Sequence, residues 1–481
     1  MKRIPGIINT LYYFILLLSP FFLSAQMSER KLKVNLRGVF ESKISLIPLL
    51  GGNALKAITE IPGVRNGAMV TMLVPAEKLP GEFILRFDYK ENEASIPYPS
   101  EKHIFISKQD IEIRVNPQFV NSTDSTMFQQ GEIENNKFAE FSKENDRLKK
   151  KLALLNNLLL NYDDPKSRFY LEGVKEYELR RNTYNSWLEA EIYKARDAFV
   201  GNAFRFHFVP KINWKGNETE RLQSLISHYF DHMDFKEALL ANTTDLKEWM
   251  TKYVNLYGQL ATTLPLRDSL FLTAAETAIE KARLGHPVIY GWMVDYFYNG
   301  FERNNLWAGI RLLEKYINDP ACMTSKRLAI AKRLQGIKTL MPGTDAPDFV
   351  FIENDKPSRF RDYQTSSPYK LVLFWTTGCE HCKELIKSLY PYFLNKLGKN
   401  GFEVFAISLD DSDQEVLDWQ LTIKSLTAWK HWRNKGGVNS PEANAYFLVS
   451  TPLMVLVDSK TNKIIALPEN VEQLEKEIMK R

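Results

Sequence analysis

Alternation of apolar and polar residues predicts β structure in the first part of the chain. Apolar side chains recur at every second position over residues 32–39, 68–74 and 83–89, which is the spacing of a strand with one buried face. Gly-Gly and Pro-Gly pairs between these runs are typical of turns. The pattern predicts an antiparallel β domain over residues 27–118, arranged as a sandwich.

From residue 119 the apolar period lengthens to that of a helix. A break at residues 161–165 separates one apolar stripe from a second over residues 174–199, so we expect an antiparallel helical hairpin. Amphipathic patterns then continue, which predicts an α-helical region over residues 119–340. The apolar residues of the first stripe are Phe138, Phe141, Leu148, Leu152, Leu155 and Leu159.

The last part of the chain alternates strand and helix patterns. A Pro/Gly-containing segment at 341–347 precedes an apolar strand at 370–375, and the helix predicted from residue 379 is followed by a second strand at 402–408. A strand hairpin and a closing helix complete the pattern. Strands and helices in this order indicate an α/β domain over residues 344–481, with a central sheet covered on both faces.

The first 26 residues have the features of a secretory signal. Lys2 and Arg3 precede an apolar run at 11–23 that is interrupted by Pro20 and is followed by small residues. The run is shorter than the roughly 20 residues that a spanning helix needs, so we expect a cleaved signal peptide over residues 1–26. This predicts a periplasmic or secreted protein that does not span the membrane. A net charge of +5 gives no reason to expect a nucleic-acid partner.

The chemistry in the sequence is concentrated in two cysteines. Cys379 and Cys382 enclose Glu380 and His381, follow the apolar strand and open the next helical pattern. Two thiols at this spacing form a dithiol/disulfide couple, and the unpaired N–H groups of a helix start stabilise a thiolate at the first of them. The chain has three cysteines, and the third, Cys322, is interpreted as a buried apolar residue, with a resolving thiol as the alternative.

No metal site is predicted. His228 and His232 are spaced to lie on one face of a helix, but they lack the intervening glutamate of a zinc-protease helix and a third ligand. We therefore interpret both as surface histidines, and we expect no cofactor.

Four short motifs together resemble the thioredoxin fold, and more narrowly the exported TlpA/ResA-like thiol–disulfide oxidoreductases, including multidomain forms of Bacteroidetes type. They are Asp-Ala-Pro-Asp-Phe at 345–349, Leu-Phe-Trp at 373–375, Cys-Glu-His-Cys-Lys at 379–383 and Ser-Thr-Pro at 450–452. The resemblance covers about the last quarter of the chain. The β domain and the helical region also resemble, more weakly, the N-terminal extensions of such proteins.

The resemblance implies roles for particular residues. Cys379 would attack a partner disulfide and Cys382 would resolve the mixed disulfide. Thr451 and Pro452 would form a cis-proline turn beside the cysteines, and Trp375 and Pro452 would shape the substrate face. The implied partners are protein thiols and disulfides, together with an upstream redox partner.

Three positions near the cysteines concern the redox potential and the proton chemistry of the pair. A cationic His381 would favour the thiolate of Cys379, whereas Glu380 would oppose it, so reductant, oxidant and isomerase all stay open. Leu385 occupies the position where ResA-like proteins usually carry a glutamate.

Two other functions remain as alternatives to disulfide exchange. One is a peroxiredoxin-like peroxidase, because Thr376 lies three residues before Cys379, although Val372 replaces the proline of that design. The other is an exported binding or assembly module in which the redox domain is accessory.

Overall fold

The computed structural model describes residues 28–51, 54–122, 124–353, 356–397 and 401–480. Within these residues the chain forms two compact units. The first runs up to Asp234 and includes Leu239–Leu256, and the second comprises Phe235–Ala238 and the chain from Tyr257 onward. The predicted signal peptide lies outside the described residues. Across the described ranges, no helix is long and apolar enough to cross a membrane.

The first unit begins with a β domain of two sheets, whose strand orders are β4-β1-β7-β8 and β3-β2-β5-β6. Apolar side chains from both sheets, among them Leu32, Val34, Leu85 and Phe87, are fully buried in one shared core. The domain is therefore a sandwich. Its strands are β1 (Arg30–Leu36), β2 (Glu41–Pro48), β3 (Thr59–Arg65), β4 (Met69–Val74), β5 (Gly81–Lys90), β6 (Tyr98–Ile106), β7 (Ile111–Val115) and β8 (Thr126–Phe128).

One strand pair corrects the prediction of an antiparallel domain. β1 and β7 pair in parallel, with Leu32 opposite Ile111 and Leu36 opposite Val115, whereas the other pairs in this domain are antiparallel. A tight hairpin forces neighbouring strands to run in opposite directions. The chain between β1 and β7 passes through the second sheet, so no hairpin sets the direction in which β7 enters.

Two long helices, α1 (Glu134–Asn161) and α2 (Arg168–Lys194), pack as the predicted antiparallel hairpin. The hydroxyl of Tyr184 donates a 2.7 Å hydrogen bond to Oδ1 of Asn145. Nearer the connection, Gly173 lies against Leu159. Each of these contacts joins one half of α1 to the opposite half of α2, so the two helices run in opposite directions. The chain continues with α3 (Gly201–Phe204), α4 (Glu218–Ser227) and α5 (Asp245–Leu260).

The second unit combines a group of helices with the C-terminal α/β domain. Its helices before the sheet are α6 (Leu264–Arg283), α7 (Pro287–Arg303), α8 (Trp307–Leu312), α9 (Glu314–Ile317) and α10 (Arg327–Thr339). The elements that follow are β9 (Val350–Glu353), β10 (Lys356–Arg359), β11 (Tyr369–Trp375), α11 (Glu380–Tyr392), β12 (Phe402–Ser408), α12 (Asp413–Ile423), β13 (Lys430–Arg433), α13 (Pro441–Ala445), β14 (Leu453–Asp458), β15 (Ile464–Ala466) and α14 (Val471–Met479).

The central sheet of this unit has the strand order β13-β12-β11-β14-β15. β11 and β12 are parallel, and β14 runs antiparallel to β11. Every residue of β11 is buried, with Leu371 and Leu373 in the core on one face and Val372 and Phe374 in the core on the other. This confirms the expectation of a sheet covered on both faces. The sequence patterns did not predict β13 and α13.

The end of α10 packs into the same core as the α/β domain. Leu340, directly after the helix, is buried with Phe349 and Tyr446. A Cβ atom built on Gly336 would lie 2.6 Å from Cβ of Phe447, so the helix backbone closely approaches the chain that precedes β14. This part of the helical region therefore shares a core with the domain predicted over residues 344–481.

Replacing Gly291 by alanine should destabilise the second unit. The Cβ of an alanine there would lie 2.1 Å from the backbone of Met323, and backbone cannot rotate away as a side chain can. We expect a loss of about 2 kcal/mol in the free energy of unfolding, measured by urea denaturation. Gly300→Ala in the same helix is the control, since a Cβ atom there would meet no atom within 4 Å apart from its chain neighbours and the nearby backbone of its own helix. This variant should be neutral or stabilising by up to about 1 kcal/mol. Equal stability of the two variants would contradict the prediction.

Candidate active site

The two cysteines of the motif lie at the start of α11, immediately after β11 ends at Trp375. Cys379 caps the helix, and its Sγ accepts a 3.2 Å hydrogen bond from the backbone N–H of Cys382. The first N–H groups of a helix have no partner within the helix, so a side chain at the cap satisfies them. A thiolate accepts this bond better than a thiol does, and the helix start therefore favours the charged form of Cys379.

The two thiols differ in exposure. Cys379 is partly exposed and Cys382 is fully buried, at 0% of its accessible surface. Cys382 packs in the core below the helix with Leu385, Leu389 and Trp375. Both residues are free thiols in this structure. Only Cys379 is accessible to a reagent or a partner from solvent.

The surroundings of Cys379 hold its pKa below the ordinary value of a thiol. Burial by itself raises this pKa, but hydrogen bonds from the side chains of Cys382 and Thr451 and from the backbone N–H groups of Cys382 and His381 together outweigh burial. The thiolate of Cys379 therefore forms at a lower pH than that of an ordinary cysteine.

Cys382 is shifted in the opposite direction. Burial, and next the hydrogen bond with Cys379, raise the pKa of its thiol to about 12. It therefore stays protonated at neutral pH and can donate a hydrogen bond to the Cys379 thiolate. The pair consists of one reachable thiol that ionises easily and one buried thiol that does not.

A second segment, directly before β14, lies beside the cysteines at the same edge of the sheet. The Thr451–Pro452 peptide bond, directly before β14, is cis. The carbonyl oxygen of Thr451 lies 3.5 Å from Sγ of Cys379 and accepts a hydrogen bond from its thiol. Because β14 pairs with β11 in the antiparallel sense, its first residue lies beside the last residues of β11, and this brings Pro452 to the cysteine pair.

The two residues between the cysteines are exposed. Glu380 forms a 2.6 Å ion pair with Lys383 on the first turn of α11. Part of the negative charge that Glu380 brings near Cys379 is therefore balanced locally. His381 faces a groove that runs past Thr451 and Pro452. The Glu380–Lys383 ion pair and the imidazole of His381 are therefore exposed to solvent near the partly exposed Sγ of Cys379.

Trp375 corrects one expectation. Only 1% of its surface is exposed, and it packs with Cys382 in the core on the α11 face of the sheet. The reason is the two-residue period of a strand, which puts Trp375 on the same face as Leu371 and Leu373. Trp375 therefore supports the buried thiol from behind and does not shape the substrate face.

Asp410 is a site residue that the sequence analysis missed. It is 1% exposed, and its carboxylate accepts 2.9 Å hydrogen bonds from both the backbone N–H and the hydroxyl of Thr377, together with a 2.7 Å bond from Ser408. These bonds hold the loop between β11 and Cys379. The signal in the sequence is the Ser-Leu-Asp at the end of β12, since the carboxyl ends of adjacent parallel strands meet at one edge of a sheet.

The structure gives the remaining candidates other surroundings. Cys322 is buried, and burial raises the pKa of its thiol to about 11. His228 contacts Asp231, and the ring of His232 stacks on Phe208. Among the residues that the structure describes, no three His, Cys, Asp or Glu side chains form a group that could hold a metal ion.

Comparison with known proteins finds partial structural similarity. No protein-family model and no curated protein matches the chain. A thioredoxin-like protein from Bacteroides caccae is similar with a TM-score of 0.40 and 17% identity, over 57% of this chain and 98% of that chain. The thioredoxin domain of a thiol-disulfide oxidoreductase from Bacteroides vulgatus has a TM-score of 0.25 and 26% identity, over 29% of this chain and 97% of its own. A thiol:disulfide interchange protein from Bacteroides sp. has a TM-score of 0.25 and 26% identity, over 30% and 90%.

These similarities reach thioredoxin-like proteins over part of the chain only. At such TM-scores they carry no argument about the chemistry of this protein. The functional conclusion therefore depends on the geometry of Cys379, Cys382 and the residues around them.

Alkylation of the reduced protein should label Cys379 first. The pKa of Cys379 lies below the ordinary thiol value, so its thiolate forms early as the pH rises. The pKa of Cys382 is about 12, so its thiol stays protonated. Iodoacetamide labelling between pH 5 and 9, read by peptide mass spectrometry, measures this order. Cys322, with a pKa of about 11, is the internal control and should react slowly over this range. Earlier labelling of Cys382 would reverse the assignment.

Asp410→Ala should slow the reaction of Cys379 without removing either thiol. The substitution frees the backbone N–H and the hydroxyl of Thr377, so the loop before Cys379 loses its fixed position. We expect the alkylation pH profile of Cys379 to shift towards that of a free cysteine. Asp410→Asn keeps one acceptor oxygen and should lie between the wild type and Asp410→Ala. An unchanged profile in both variants would mean that Asp410 acts only on stability.

Proposed function

We propose that the protein is an exported thiol–disulfide oxidoreductase of the TlpA/ResA-like type, which exchanges disulfides with partner proteins through Cys379 and Cys382. The observation that carries the proposal is the asymmetry of the pair, with one reachable thiol of lowered pKa and one buried thiol of raised pKa. Disulfide exchange needs these two properties, a nucleophile that a partner can reach and a second thiol kept away from the partner.

In the reducing direction, the thiolate of Cys379 attacks one sulfur of a partner disulfide. The partner S–S bond breaks, a mixed disulfide forms, and the first partner thiolate leaves and takes a proton from solvent. Sγ of Cys382 then attacks Sγ of Cys379, and its proton passes to the second departing partner sulfur. Two electrons have moved from the protein to the partner, and Cys379 and Cys382 are joined as a disulfide. The oxidising direction is the reverse sequence.

The loop before β14 can hold the partner chain during this exchange. Val449 and Ser450 are exposed. Within the described residues, the backbone N–H groups of Val449, Ser450 and Thr451 have no hydrogen-bond partner of their own. An extended partner segment can pair with such a backbone by adding a strand, which presents its cysteine to Cys379.

The proposed compartment is the periplasm or the exterior of the cell. Its support is the sequence of residues 1–26, with a basic start, a short apolar run and a small-residue exit. In such a compartment a second protein must return the Cys379–Cys382 pair to its working redox state, because Cys322 is the only other cysteine of the chain. N-terminal sequencing of the mature protein from a cell fractionation tests this part.

Cys382→Ala should trap the partner as a mixed disulfide. Without the resolving thiol, the bond between Cys379 and the partner persists, so a covalent complex should accumulate that dithiothreitol releases. The complex is read on a non-reducing gel, and turnover of insulin disulfides should be lost at the same time.

Cys379→Ala and Cys322→Ser are the matched controls for the trap. Cys379→Ala combined with Cys382→Ala should give no covalent complex, and Cys322→Ser should keep full activity. A partner complex that survives dithiothreitol and forms without either cysteine would favour the binding-module function. Peroxide consumption in place of insulin reduction would favour the peroxidase.

A further inference from the structure

A groove of about 830 Å³ runs along the proposed site within the second unit. One wall belongs to the α/β domain and includes His381, Thr451 and Pro452. The other wall is formed by α8 and α10, with Trp307 and Ile337 among its residues. The groove volume lies in the upper part of the roughly 300–1,000 Å³ range of ligand pockets. Thr451, whose carbonyl oxygen lies 3.5 Å from Sγ of Cys379, lines the groove, so a partner segment attached to Cys379 would lie at its mouth.

The helical wall is held firmly against the α/β domain. Gly336 of α10 approaches Phe447 so closely that it leaves no room for a Cβ atom. Within the wall, the guanidinium of Arg333 bonds Glu302 at 2.8 Å and stacks 4.3 Å above the ring of Trp307. The charge of Arg333 is therefore compensated, and its side chain joins α10 to Glu302 of α7 and to Trp307 of α8.

Three other charged residues lining the groove lack ionic partners in the part of the chain that the structure describes. Arg311 lies on the wall formed by α8 and α10, and Glu384 and Glu469 lie on the α/β wall. All three side chains are exposed. The groove therefore carries an uncompensated positive charge on one wall and two uncompensated negative charges on the other.

We infer that the groove selects partner segments by charge, binding an extended chain that carries a carboxylate towards Arg311 and a cation towards Glu384 and Glu469. The inference rests on the proposed disulfide exchange at Cys379 and adds the class of partner. Charge complementarity across a groove disfavours wrong partners, because a like charge on either wall is repelled. Arg311 is thus a specificity-determining residue outside the α/β wall.

The test uses four disulfide-linked peptide homodimers with one cysteine per chain in a Gly/Ser background. Their flanking residues are Glu on both sides, Lys on both sides, Glu before and Lys after, and Lys before and Glu after. The full-length protein is reduced, freed of reductant and mixed with each peptide. The second-order rate of peptide thiol release is measured by chromatography.

The wild type should reduce one of the two mixed-charge peptides about threefold faster or more than either uniform peptide, which is the range of an exposed ion pair. The preference should fade near 1 M salt, where the screening length falls to about 3 Å. Arg311→Glu makes both walls negative, so the peptide with Lys on both sides should become the fastest. Arg303→Glu is the matched control, because Arg303 is exposed and does not line the groove, and it should keep the wild-type ranking.

Two failures are distinguishable. Equal rates for all four peptides in the wild type and in Arg311→Glu would overturn charge selection while leaving disulfide exchange in place. No peptide reduction above the rate of a Cys379→Ser protein would instead overturn the proposed function. Unchanged alkylation of Cys379 in Arg311→Glu confirms that the variant folds and that its reactive thiol is intact.

Discussion

The hydrogen bond from the backbone N–H of Cys382 to Sγ of Cys379 is the interaction on which the site depends. This bond exists because Cys379 caps α11 and Cys382 lies on the first turn. The three-residue separation of the two cysteines therefore fixes the positions of both thiols. The same helix start exposes the first sulfur and buries the second. From this one placement follow the lowered pKa of Cys379 and the raised pKa of Cys382, and hence the order in which the two thiols can react.

The sheet brings the rest of the site to this helix start. β11 and β12 are parallel, so both end at the same edge, and Asp410 after β12 bonds Thr377 after β11. β14 is antiparallel and begins at that edge, which puts Pro452 beside Cys379. Burial of β11 on both faces keeps this register, because a slip by one residue would exchange two apolar faces that each fit their own core. The position of the sulfur is thus set by packing far from solvent.

Local sequence patterns predicted the features that depend on neighbouring residues. They did not predict the features that depend on contacts between residues far apart in the sequence. The cysteine motif, β12 and α14 follow from short-range periodicity and capping, and the sequence located them closely. The parallel pairing of β1 with β7 and the burial of Trp375 depend on how separate elements pack, which the local patterns do not show. Asp410 lies 31 positions after Cys379, and only the parallel alignment of two strands connects them.

The close approach of Gly336 to Phe447 gives the helical region a part in the site. A redox centre on a bare sheet edge has few contacts besides its sulfur chemistry with which to discriminate between flexible disulfides. In the proposed charge selection a second wall changes this, since a bound segment would have to satisfy charges on two surfaces that are fixed relative to each other. Glycine is the residue that permits such contact, because a Cβ atom at position 336 would lie 2.6 Å from Cβ of Phe447 and would push α10 away from the α/β domain. The proposed selectivity would then depend on backbone packing as much as on the charged side chains themselves.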